Sequence, residues 1–260
     1  MKGFRVGHLP GFGVITVVLF IYLYAPLVIL VMFSFNNNRA VTIWRGFTLD
    51  WYWRVFNNDN IRRAAQTSLT VAAVATIVAT IIATLAALVL VRSGPFRGKT
   101  LTTALLMSPI MIPEIVLAIA TLVFFSALGV SLGVGKLMIA HSVFCIPFAY
   151  LPIQARLQSM DRSLEQAAHD LYADDWRTFR RVTLPLMMPG VISGAMLAFI
   201  ISMDDFIISL MIAEPGTTTL PLYIFGLVRM GITPEVNAVS SLMLLISIVF
   251  VVASFIISRR

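Results

Sequence analysis

The sequence predicts an all-α, polytopic membrane protein of about six transmembrane helices, and three observations lead there. Of its 260 residues, 59% are hydrophobic and 12% are charged. An average soluble domain carries about 25% charged residues, so this chain has too little charge to clothe a water-facing globule. The apolar residues fall in runs of roughly 20, enough to cross about 30 Å of hydrocarbon as continuous helices that satisfy their own backbone groups. The net charge of +7 is gathered in short segments between those runs. That is a topological pattern rather than the footprint of a nucleic-acid surface, so no nucleic-acid partner is expected.

Taken in order, the chain opens with a basic stretch, Met1 to Pro10. The apolar run behind it is too long for a signal-peptide core and lacks a small-x-small cleavage site, so it is expected to be a retained span. The six spans are expected near residues 11–35, 67–91, 101–129, 137–155, 188–213 and 237–258. With the N-terminus in the cytoplasm, 12 of the 19 Lys and Arg residues fall on that side. The bias puts both termini inside.

The first outer loop, residues 36–66, holds Trp44, Trp51, Tyr52 and Trp53. Such aromatics suit the membrane–water boundary, and a short amphipathic helix lying on the surface is expected near Asp50 to Phe56. Partner binding is the competing reading. The inner loop Arg92 to Lys99 is short, basic and turn-rich.

The inner segment 156–187 differs, because it carries most of the intracellular charge. Leu164, Ala167, Ala168 and Leu171 recur at i, i+3, i+4 and i+7, which makes one apolar helix face. Ser163 is expected as N-cap, with Gln166 in the capping-box position. A second short helix is expected from Asp174 or Asp175, with acidic residues at its start and Arg180 and Arg181 near its end. The residues alone leave two readings open: a compact projection that another surface could approach over Ala167 and Ala168, or a loop folded back on the bilayer.

Three carboxylates fall inside expected spans: Glu114 in the third, Asp204 and Asp205 in the fifth. An ionised carboxylate at mid-membrane costs roughly 3 kcal/mol, so such groups face a cavity or a partner. An acidic cavity would replace the hydration of a passing ammonium group. Glu114 could instead cap a helix broken by Pro109 and Pro113. Asp204 and Asp205, as helix neighbours, would point about 100° apart, so both cannot face one ligand; Glu114 and Asp205 are the chosen contacts, although the residues hardly separate the two aspartates. Tyr223 is a further pathway candidate, at the outer mouth. His141, at the start of the fourth span, reads as structural, since no neighbouring acid in sequence supports a proton relay. The lone Cys145 reads as an apolar filler. The three histidines lie far apart, and no metal site is expected.

The stretch Gln166 to Pro185 resembles the cytoplasmic loop motif of ATP-binding-cassette importer permeases. That motif runs Glu-Ala-Ala, three residues, Gly, nine residues, an aliphatic residue, one residue, Leu-Pro. Here Gln166 stands for its glutamate, Ala167 and Ala168 for its alanines, Tyr172 for its glycine, Val182 for the aliphatic residue, and Leu184-Pro185 for its end. Ser202-Met-Asp-Asp205, Leu220-Pro-Leu222, Gly231 to Ala238 and Ser108 to Glu114 are similar to the spermidine/putrescine permeases, second-permease type.

The resemblance implies a type I importer permease, a single transmembrane domain over 1–260 in the bacterial inner membrane. It implies an ATPase-coupling segment that includes Glu165, Gln166, Ala167, Ala168, Asp170, Leu171, Tyr172, Leu184 and Pro185. The partners implied are a second homologous permease, two ATPase subunits, an extracytoplasmic binding protein and membrane lipid. No phosphate-binding GxxxxGK[ST] loop is present, so the chain is expected to be non-catalytic and to bind no cofactor, with ATP and magnesium at the ATPase partner. Other importer substrates (an opine, an amino acid derivative, another organic cation) and a stand-alone secondary transporter are the alternatives.

Overall fold

The computed structural model describes residues 12–38, 43–129 and 131–258. The orientation argument leans on Lys2, Arg5, Arg39, Arg259 and Arg260, which lie outside the described residues, as does the stretch Met1 to Pro10. Among the described residues the structure is helical, apart from one isolated β-bridge between Asn36 and Phe47.

The chain divides into two compact units. The first comprises the chain up to Asp59 together with Gly226–Leu244. Its α1, Phe12–Phe33, is 22 residues long and apolar on every side, with none of its spanning stretch buried. A helix of that kind faces lipid. The following loop folds on itself. Asn36 is fully buried; its side-chain oxygen accepts from Arg45 N–H at 3.0 Å and its amide donates to the Ile43 carbonyl at 2.9 Å. Helix α2, Asp50–Asn57, lies where the aromatic pattern predicts an amphipathic helix. It buries Trp51 and Val55 and leaves Trp53 and Phe56 exposed. Trp51 Nε1 donates to the Asn36 carbonyl at 2.8 Å, and Tyr52 bonds Ser34 Oγ at 2.6 Å.

The second unit, Asn60–Phe225 with Leu245–Arg260, carries the remaining spans. Helix α3, Asp59–Ala87, begins earlier than expected and runs on through a π-helical turn, Leu88–Arg92. Ala75, Ala79, Ala83 and Ala87 form a buried stripe of small residues that admits close neighbours. The third expected span is two helices, α4 (Lys99–Met111) and α5 (Glu114–Ala127), bent by 106°. Pro113 causes the break. It removes an N–H and holds Ile112 extended, at φ −86° and ψ 135°.

Helices α6 (Val134–Ser159) and α9 (Leu184–Asp204) form the central pair. Glycine makes their approach possible. A Cβ on Gly194 would collide with the Ala149 carbonyl, and one on Gly190 would lie 2.6 Å from Arg156 Cβ. Between them stand the short α7 (Ser163–Asp170) and α8 (Asp175–Thr178), then a π-helical turn, Phe179–Thr183.

The fifth span was expected to run to residue 213, but α9 stops at Asp204. Asp205 is extended, at φ −63° and ψ 126°, and α10 restarts over Ile207–Ile212. Helices α11 (Leu220–Met230) and α12 (Pro234–Ser258) complete the chain. Among the described residues, five helices are long and apolar enough to cross a membrane, or six with the bent α4–α5 pair as one span.

Candidate functional site

The two broken spans bring two of the three carboxylates, Glu114 and Asp205, together. Glu114 opens α5 immediately after the Pro113 break, and its carboxyl neighbours that of Asp205. Asp205 occupies the break between α9 and α10 and is only 5% exposed. Its Oδ2 accepts from the Ser209 N–H at 3.0 Å and from the Ser209 hydroxyl at 3.1 Å, while Oδ1 accepts from the Ile208 N–H at 3.4 Å. A buried carboxylate needs such donors. Asp204 differs. It is exposed at the end of α9, and its Oδ1 accepts from Ser247 Oγ at 3.4 Å. Because the helix ends between them, the two aspartates do not follow the helical projection expected of neighbours. Tyr223 lies in the first turn of α11, and no described hydrogen bond joins its side chain to the three carboxylates.

The charged projection is built from inward ties and an outward apolar face. Glu165 Oε1 accepts from Arg92 Nε at 3.2 Å and from Thr183 Oγ1 at 2.9 Å. Arg162 donates to the Val91 carbonyl at 2.9 Å. These bonds fix α7 against the end of α3 and the start of α9. Gln166, Ala167 and Asp170 face solvent, Ala168 is half-buried, and Leu171, Tyr172 and Trp176 are 81%, 95% and 66% exposed. Leu184 packs against the core while Pro185 is exposed at the start of α9.

Ser163 is not the N-cap; it is the first helical residue, and its N–H takes Asp161 Oδ1 at 2.9 Å. The shorter aspartate reaches the amide two residues on and displaces the capping box. That bond holds the Asp161 carboxyl below its ordinary range.

The turn after α7 is decided by Tyr172, at φ 60° the one non-glycine with positive φ among the described residues. Ala173 N–H donates to the Ala168 carbonyl at 3.0 Å and Tyr172 N–H to the His169 carbonyl at 2.9 Å. This is a Schellman closure with tyrosine at the left-handed position. Asp174 then caps α8 by accepting from Arg177 N–H at 2.7 Å.

Residues 79–260 match the family model described as binding-protein-dependent transport system inner membrane component. The spermidine/putrescine transport system permease protein PotC of Escherichia coli (strain K12) is 41% identical over 254 residues, which cover 98% of this chain and 96% of that one. The putrescine transport system permease protein PotI of the same strain is 39% identical over 266 residues, covering 100% and 95%. The chain belongs to this permease family. Among solved structures, a bacterial ABC transporter that imports alginate matches with TM-score 0.67 at 15% identity, over 100% of this chain and 99% of that one. The inward-facing MetNI methionine transporter matches with TM-score 0.64 at 20% identity, over 82% and 98%. These two likenesses speak to the fold.

The permease is thus a non-catalytic, multi-pass subunit of the inner membrane, working in an ATP-driven importer. Its sequence concealed one residue of the carboxylate group. His141 looked isolated from any acid, yet its Nε2 lies 3.3 Å from Asp205 Oδ2. The distance of 64 positions along the chain hid the pair; only the packing of α6 against α9 and α10 closes it. No group of three or more His, Cys, Asp or Glu among the described residues could hold a metal ion.

Proposed function

We propose that this permease imports polyamines, linear molecules with several ammonium groups, as one half of a two-permease pathway. The carrying observation is the meeting of Glu114 and Asp205 at two broken spans, with Asp204 exposed beside them. Carboxylates at helix breaks offer an ammonium group replacement for its hydration shell where the bilayer offers none. The near-full-length likeness to permeases named for spermidine and putrescine supports the same cargo. Glu114 and Asp204 are the pathway carboxylates in this reading, with Tyr223 at its outer mouth and Asp205 behind them.

Both termini lie in the cytoplasm. The face of Ala167, Leu171 and Tyr172, with Gln166 and Asp170 at its edge, docks into one of two ATPase subunits. Glu165, Leu184 and Pro185 hold that face in place from behind. ATP and magnesium act at the ATPase, and nucleotide-driven closure moves the docked segment and its spans as a rigid body. A binding protein delivers ligand to the opposite side.

The test is uptake of labelled spermidine and putrescine into proteoliposomes holding both permeases, the ATPase and the binding protein. ATP-dependent accumulation of either supports the proposal. Accumulation without the ATPase would make the chain a stand-alone transporter, and failure of every polyamine would move the cargo to another cation.

A further inference from the structure

Three helices meet at one buried imidazole. His141, on α6, is 1% exposed. Its Nδ1 lies 2.9 Å from Ser202 Oγ, on the last turn of α9. Its Nε2 lies 3.2 Å from Ser209 Oγ, on α10, and 3.3 Å from Asp205 Oδ2, in the break between them. One tautomer satisfies every partner. With the proton on Nε2, the ring donates toward Ser209 and Asp205, and Nδ1 accepts from the Ser202 hydroxyl. The Ser209 hydroxyl in turn donates a hydrogen bond to Asp205 Oδ2.

Asp205 is consumed by this arrangement. Its two oxygens accept from Ile208 N–H, Ser209 N–H and Ser209 Oγ, which are the free donors at the start of α10. Asp204, one residue earlier, takes part in none of it and stays exposed. A helix interrupted inside a membrane must have its freed backbone groups answered from elsewhere. Here Asp205 answers them, and the imidazole fixes Asp205 while bridging the two helix ends.

We infer that His141 is a positioning residue that, together with Asp205, pins the break after Asp204 and so presents Asp204, not Asp205, to the transported cation. The pin stands on geometry alone, and the presentation of Asp204 rests on the import reading above. The two adjacent aspartates then do different work: Asp205 caps α10 from the inside, and Asp204 is the ligand carboxylate whose direction the cap sets.

Two measurements on the assembled importer test this, amide exchange in lipid nanodiscs and uptake in proteoliposomes. Amide hydrogen exchange over Ile207–Ile212 should speed about tenfold in H141A and return toward wild type in H141Q, since glutamine restores a donor and an acceptor. In uptake assays, H141A and D204N should each raise KM for the cation about tenfold, and the double variant should be no worse than D204N, because both act through one carboxylate. Unchanged exchange in H141A overturns the inference whatever uptake does. Additive KM effects overturn it as well, because His141 would then act elsewhere. Faster exchange in H141A with normal uptake by D204N would uphold the pin and remove Asp204 from the pathway, so the two readings fail separately.

Discussion

Glu165 reaches back 73 positions in sequence to Arg92, and the two side chains meet at 3.2 Å with only 19% and 16% exposure. This bond joins the projecting helix α7 to the π-helical turn that ends α3. It makes Glu165 a strut behind the exposed face of α7 rather than part of that face. Arg92 Nη2 is buried with no hydrogen-bond partner among the described residues, so losing Glu165 would leave a second guanidinium nitrogen, Nε, without its acceptor. Replacing Glu165 with alanine should therefore cost about 1.5–3 kcal/mol of local stability. The expected outcome is a lower thermal midpoint and weaker ATPase stimulation by cargo-loaded binding protein, with membrane insertion intact. A double-mutant cycle with R92A checks the pairing, since the two losses should not add.

Tyr172 holds a left-handed backbone that a side chain resists. That conformation costs roughly 1–2 kcal/mol for a residue with a Cβ. Glycine removes the cost but has more unfolded-state freedom to lose. Tyr172→Gly should then stabilise the α7–α8 turn by about 0.5–1 kcal/mol. Slower amide exchange at Ala173, whose N–H closes the turn, is the measurement. Unchanged or faster exchange would mean that the tyrosine ring contributes more than its backbone costs.

Ala167 sits at the middle of the exposed α7 face, where a small residue permits close approach. Ala167→Trp should uncouple ATP hydrolysis from transport by holding the two surfaces apart, while the chain still inserts and folds. The ratio of cation imported to ATP hydrolysed should fall at least severalfold. An unaltered ratio would remove α7 from the coupling contact.

Glu214, in the loop after α10, forms an ion pair with Lys136, at the start of α6. That hydrogen bond holds the Glu214 carboxyl below its usual range. A group depressed in the folded state stabilises fully above its unfolded pKa and loses that contribution as pH falls through the folded value. The tie between the loop and α6 should therefore persist as pH falls into the ordinary carboxylate range and open only below it. Lys136→Gln should raise the pH at which the loop loosens, read by amide exchange across 213–217 as a function of pH. The half-exposed setting keeps the effect small and salt-sensitive.

The span count and the short helix α2 were legible because apolar length and aromatic spacing are local properties. So was the charged projection, whose 3.6-residue periodicity marks α7 directly. Ser163 as N-cap was not, because Asp161 competes for the same amide and periodicity says nothing of which side chain wins. The site was half legible. Glu114, Asp204 and Asp205 stand out as charges in apolar runs, but their division of labour depends on where α9 stops. Nothing in Ser202-Met-Asp-Asp205 announces a helix end: there is no proline or glycine, and the break coincides with the local bonds from Ser209 to Asp205 and the long-range approach of His141. The π-helical turns at Leu88–Arg92 and Phe179–Thr183 likewise carry no sequence mark that separates them from α-helix.

The most direct measurement is ATP-driven uptake of labelled spermidine by the reconstituted four-component importer, wild type beside E114Q and D204N. Polyamine import along these carboxylates predicts ATP-dependent accumulation in wild type and a KM raised about tenfold in each variant. Wild-type accumulation with unchanged KM in both variants would contradict it, because the cation would then cross without touching Glu114 or Asp204.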